Sequence, residues 1–121
     1  MITPVFEQTI GIETYATYER EDGRTVQMTV LHPNFLLSAA ELVIVIGNEK
    51  ELETENYHCY LTFSERQAQE IRDALNSSAL SEGILPSLFT VGEMLILRDF
   101  LNRPEVQAHF SVRCSAVVED V

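Results

Sequence analysis

Apolar and polar side chains alternate through the opening segment: Phe6, Ile10, Ile12, Ala16 and Tyr18 share one parity, while Glu7, Thr9, Glu13, Thr17 and Glu19 hold the other. A period of two predicts a half-buried strand. It runs into Arg20-Glu21-Asp22-Gly23-Arg24, where parity selects the turn. A loop of Asp22-Gly23 alone would set Tyr18 opposite Gln27. A loop of Glu21-Asp22-Gly23 sets Tyr18 opposite Val26 and Ala16 opposite Met28, keeping the apolar rows on one face. Gly23 then takes the left-handed position after a type I turn, which predicts a hairpin with a G1 bulge.

The second strand ends at His32, because Pro33 removes a donor and biases the residue before it toward extended backbone. The stretch 35–41 predicts a short helical piece, and the all-apolar 42–47, LVIVIG, predicts a central strand buried on both faces. Residues 48–63, NEKELETENYHCYLTF, then carry Glu49, Glu51, Glu53 and Glu55 on the same parity as Tyr57, Cys59, Leu61 and Phe63. Four glutamates cannot enter a core, since burying each unpaired costs several kcal/mol. Tyr57 to Phe63 are therefore expected to face inward, with the glutamates either projecting past the core edge as a comb or lying in a loop.

Two helices announce their starts. Ser64-Glu-Arg-Gln67 and Thr90-Val-Gly-Glu93 both match the reciprocal capping pattern. The first helix presents Ala68, Ile71, Ala74 and Leu75 on one stripe, with Glu65, Arg66, Glu70, Arg72 and Asp73 outside. The second carries Val91, Met94, Leu95, Ile96, Leu97, Phe100 and Leu101 around most of its circumference and needs covering on more than one side. Residues 76–83 are expected to be a connection between the two, and Asn102-Arg-Pro-Glu105 ends the second helix or caps one further turn. Val106, Ala108, Phe110, Val112, Cys114, Ala116 and Val118 alternate with polar positions and predict a final strand. The reading is one α+β domain over residues 1–121. It has a largely antiparallel sheet of about five strands, element order ββββααβ, with two helices packed on one face.

Composition adds one unusual feature. Nineteen acidic residues against eight basic ones give a net charge of −11, and Lys50 is the only lysine. Such a surface repels nucleic-acid backbone and anionic lipid and favours a basic partner. With no apolar run long enough to span a bilayer and no secretory signal pattern, the expectation is a soluble cytoplasmic protein without membrane or nucleic-acid partners. Two cysteines, Cys59 and Cys114, are too few for a disulfide scaffold and take the apolar parity of their segments, as small core residues do.

Catalytic chemistry is thinly represented. His58 and Cys59 are neighbours whose side chains would point to opposite faces of a strand, so they form no dyad. His58 and His109 have no zinc-like spacing, the glycines form no phosphate-binding loop, and Ser64 lacks the glycines of a nucleophile elbow. No cofactor or metal is expected. Alternate strand residues lie about 6.6 Å apart, close to twice the phosphate rise of one DNA strand, about 3.4 Å. A comb of Glu49, Glu51, Glu53 and Glu55 could therefore imitate nucleic acid or seat a basic surface, flanked on the polar parity by His58, Tyr60, His109 and Arg113. The favoured function is a small non-enzymatic protein-binding module of inhibitor, immunity, anti-defence or secretion-chaperone type. One alternative is a homo-oligomeric structural subunit, a homodimer for instance, that uses the apolar helix 90–102 through Met94, Leu97 and Leu101. Another is a ligand-binding domain or enzyme with a sheet and helix pocket at Tyr57, His58, His109 and Arg113.

Overall fold

The computed structural model describes residues 5–9, 13–32, 39–77 and 84–110. Strands β1 (Val5–Thr9), β2 (Glu13–Glu19), β3 (Thr25–Leu31), β4 (Glu41–Gly47) and β5 (Cys59–Ser64) form one sheet in sequential order, every neighbouring pair antiparallel. Helix α1 (Glu49–Glu53) interrupts the β4 to β5 connection, and α2 (Glu65–Asn76), α3 (Ile84–Leu88) and α4 (Val91–Leu101) follow β5. Residues 104–110 are also helical. The fold is thus α+β on an antiparallel sheet, but the order of elements is not ββββααβ.

Along β2, β3 and β4 the even positions Ala16, Tyr18, Val26, Met28, Val30, Leu42, Ile44 and Ile46 are buried, and the register aligns them with Cys59, Leu61 and Phe63 of β5. They pack against Ala68 and Leu75 of α2, Leu97, Phe100 and Leu101 of α4, and Val106 and Phe110 of the helical segment 104–110. Burial of this apolar surface at about 25 cal/mol per Å² is the main favourable term in folding. On the other face Tyr15, Thr17, Gln27 and Val43 are half-buried and Tyr60 is 57% exposed. β4 is accordingly an interior strand, with Val45 buried and Val43 half-buried on that outer face.

The hairpin after β2 has the anticipated register. Tyr18 pairs with Val26 and Ala16 with Met28, the Gly23 amide donates to the Arg20 carbonyl at 3.1 Å, and Gly23 has φ +85°. Both expected capping boxes are present, at Ser64 with Gln67 and at Thr90 with Glu93. Three expectations are overturned. The long first strand is a hairpin of β1 and β2, with Phe6 paired to Ala16 and Val5 to Thr17. Paired positions there sum to an even number, so reversing the chain leaves parity intact and alternation cannot reveal it.

Residues 106–110 are helix, not strand. Val106 and Phe110 are four apart and satisfy both periods. Ala108, which a strand would turn inward with them, is exposed, as helical geometry requires. The rest of that expected strand, 111–118 with Arg113 and Cys114, lies outside the described residues, as does most of the expected helical piece at 35–41 and the connection at 78–83. Finally, Glu65 is buried rather than outward, its carboxylate accepting the Ala40 amide at 3.2 Å. In α4, Met94 is half-buried and Leu97 and Leu101 are buried against this chain's own core, while Val91 and Leu95 are exposed.

Candidate functional site

Glu49 to Glu53 form the short helix α1 inside the β4 to β5 connection instead of a comb on a strand, and Glu55 lies in the turn that follows. Asn48 caps the helix: its side chain accepts the Glu51 amide at 2.8 Å and the Glu51 carboxylate accepts the Asn48 amide at 2.8 Å. Asparagine is as good a cap as serine, so Asn48-Glu-Lys-Glu51 carries the same signal as the two boxes that open α2 and α4. Winding the run into a turn removes the conflict between its charges and the core, because Glu49, Glu53 and Glu55 then project to solvent. Gly47 permits the tight entry: a Cβ there would stand 3.0 Å from the Glu51 Cβ.

The exit from α1 is strained. The Asn56 amide donates to the Glu51 carbonyl at 3.0 Å and the Glu55 amide to the Leu52 carbonyl at 3.4 Å, the paired bonds of a Schellman ending. That motif places the residue after the cap in the left-handed region, normally a glycine, and here Glu55 holds it at φ +57°. A side chain in this conformation costs about 1–2 kcal/mol. Two residues on, the Tyr57 and Tyr60 rings stack, with centroids 5.7 Å apart and planes 18° from parallel.

Because β2 and β3 turn at the same end of the sheet where β4 gives way to α1, the exposed Glu19 and Glu21 join this acidic surface. An ion pair from the Arg24 Nε to Glu51 at 3.6 Å ties the two connections together. Arg24 also holds Asp22, whose carboxyl is lowered below its ordinary value first by the Arg24 amide and then by the guanidinium. Every arginine among the described residues pairs with a carboxylate of this chain: Arg20, Arg24, Arg66, Arg72, Arg98 and Arg103. Glu49, Glu53, Glu55, Glu19 and Glu21 form no ion pair among the described residues and lie at this end together with Lys50 of α1, while Glu13 and Glu41 stand at the other end.

Beneath the acidic surface sits a buried cluster that pattern alone did not disclose. The Glu93 Oε1 accepts the Thr90 amide at 3.0 Å, while its Oε2 accepts both the Tyr18 hydroxyl and the Arg20 Nε at 2.8 Å. The Arg20 guanidinium also donates to the Leu88 carbonyl at 2.7 Å and lies 5.3 Å from the Phe89 ring centre. Burial pushes the Glu93 carboxyl up, but the Thr90 amide, Arg20 and Tyr18 outweigh it and hold it below the ordinary value. Burial first, and then Glu93, pushes the Tyr18 phenol well up. A cavity of about 400 Å³ opens here between Arg20, Glu21, Asp22, Leu88, Thr90 and Glu93. The capping box foretold one oxygen of Glu93; its two partners on β2 and the following turn lie far away in sequence.

The residues expected to act together are only partly assembled. Glu49, Glu53, Glu55, His58 and Tyr60 share the acidic end and are exposed, and Glu51 is engaged by its cap and Arg24. His109 is elsewhere, buried and bonded to Thr14 at the opposite end of the strands, so it joins neither the acidic surface nor a pocket with Tyr57 and His58. Arg113 lies outside the described residues. Among the described residues no group of three His, Cys, Asp or Glu could hold a metal ion, and no helix is long and apolar enough to cross a membrane. Comparison with known proteins finds no matching family model, no matching curated protein and no matching solved structure.

Proposed function

We propose that this chain is a small non-enzymatic binding module, of the inhibitor, immunity, anti-defence or secretion-chaperone kind, whose acidic end engages a basic surface on a partner protein. The observation that carries the reading is Glu55. Among the described residues its carboxylate forms no ion pair, and it stands at a left-handed position where glycine would be relaxed, beside the stacked Tyr57 and Tyr60. Local strain retained at an exposed position is a ground for the hypothesis of a site kept for something other than stability. Carboxylates steer a basic partner and fix its orientation, while tyrosines supply rigid contact area at small entropic cost.

The test is retention from cell extract on the immobilised chain, compared with a Glu49→Gln, Glu53→Gln, Glu55→Gln variant. Basic proteins held at low ionic strength should elute as salt approaches physiological strength, where charges more than about 8 Å apart are screened. The variant should fail to retain them. An identical set of proteins on both columns would sink the proposal.

A further inference from the structure

The turn between β2 and β3 is held from two sides by the arginines that bracket it. The Arg20 amide donates to the Arg24 carbonyl at 2.7 Å and closes the base of the turn. The Arg20 side chain reaches the Glu93 carboxylate of α4 and the Leu88 carbonyl of α3, which fastens the turn to the helical layer. The Arg24 side chain goes to α1 instead. Its Nη1 donates to the Asp22 carboxylate at 3.2 Å, and its Nε stands 3.6 Å from Oε1 of Glu51, the oxygen that also accepts the Asn48 amide. The register accounts for this meeting: Thr25 pairs with Gly47, so Arg24 and Asn48 leave the sheet side by side.

Stability does not explain Arg24. No residue of α1 is buried, so core packing does not fix that helix against the turn. The Arg24 and Glu51 side chains are 31% and 26% exposed, and ion pairs open to solvent add little to folding. The Nε atom itself is covered, yet it has no hydrogen-bond partner among the described residues, and a buried donor without an acceptor weakens a fold. We propose, on the binding reading above, that Arg24 is the positioning residue of the acidic surface. Its planar guanidinium takes Asp22 of the turn and Glu51 of α1 together, and so sets Glu19 and Glu21 against Glu49, Glu53 and Glu55 in the arrangement that a folded basic partner meets. Without that cation the carboxylates of the two connections repel one another. Lys50 does not replace it, for it forms no ion pair among the described residues.

Arg24→Gln separates geometry from charge. Losing one positive charge takes the chain from −11 to −12, so a surface that works by charge alone should then bind any cation at least as tightly. Two probes are compared at low salt on the native chain and the variant: a short polyarginine peptide, which is flexible and reports charge, and a folded basic protein recovered from the native column. The peptide should bind the variant no more weakly, while the folded protein should lose about two- to fivefold in affinity, the size of one partly exposed ion pair. Arg24→Lys, which keeps a cation between Asp22 and Glu51, should recover most of that loss. A folded protein that binds Arg24→Gln as tightly as the native chain, or more tightly, would overturn the positioning role and leave the binding reading standing. Hydrogen exchange reads the same role without a partner. The amides of Leu52, Thr54 and Asn56, which bond within α1 and its exit, should exchange about two- to fivefold faster in Arg24→Gln, with β3 and β4 unchanged. Unaltered exchange at those three amides would overturn the proposal whatever the columns retain.

Discussion

The hydroxyl of Tyr18 on β2 donates a 2.8 Å hydrogen bond to Oε2 of Glu93, in the first turn of α4. The two residues are 75 apart in sequence, and the contact joins the helical layer to the sheet through a carboxylate that also caps its own helix. Loss of the phenol oxygen leaves a buried acceptor short of one donor. Tyr18→Phe should therefore destabilise the protein by about 1–2 kcal/mol, read from denaturant unfolding. An unchanged midpoint would show that Arg20 alone satisfies Glu93.

The same carboxyl sets an acid limb of stability. Its proton affinity is lowered on folding, so its contribution is present above the unfolded value near 4.5 and is lost as pH falls through the lower folded one. Thermal melts of the native chain should drop steeply below about pH 4.5. A Glu93→Gln variant should melt lower at neutral pH and show a shallower acid limb. Parallel limbs in the two proteins would contradict the assignment.

Helix against strand at the end of the described chain is decided by two side chains. In the structure Phe110 is buried and Ala108 exposed. Phe110→Ala should cost about 3–5 kcal/mol, whereas Ala108→Glu should stay within about 0.5 kcal/mol of the native chain. A strand would turn both residues inward, and then the glutamate would be the more damaging change.

What the sequence disclosed follows the range of each signal. Caps and turns are local, so Ser64 with Gln67, Thr90 with Glu93 and the Gly23 hairpin could be read from a few residues. The Asn48 with Glu51 box used the same local grammar, but it was masked by glutamates at every second position, which imitate strand alternation. Parity survives a chain reversal, which hid the hairpin of β1 and β2. At 106 and 110 the periods of helix and strand coincide, and only the exposure of Ala108 separates them. The contacts of Glu93 with Tyr18 and of His109 with Thr14 join distant segments, for which a single sequence carries no signal. Of the residues expected to act together, the exposure of Glu49, Glu53, Glu55, His58 and Tyr60 was legible. The displacement of His109 was not.

The strain at Glu55 gives a prediction of unusual sign. Glu55→Gly relaxes a left-handed residue and should raise stability by about 0.5–1 kcal/mol, measured by denaturant unfolding. By contrast, Asn48→Ala removes the cap of α1 and should cost about 1 kcal/mol. No gain from glycine would mean that the conformation is not costly and that Glu55 is unremarkable.

That variant also provides the sharpest test of the binding role, because it separates the carboxylate from the fold. The decisive measurement is retention of basic proteins from extract, at low salt, on the native chain and on Glu55→Gly side by side. The account predicts weaker retention by the more stable protein. Equal or stronger retention would contradict it.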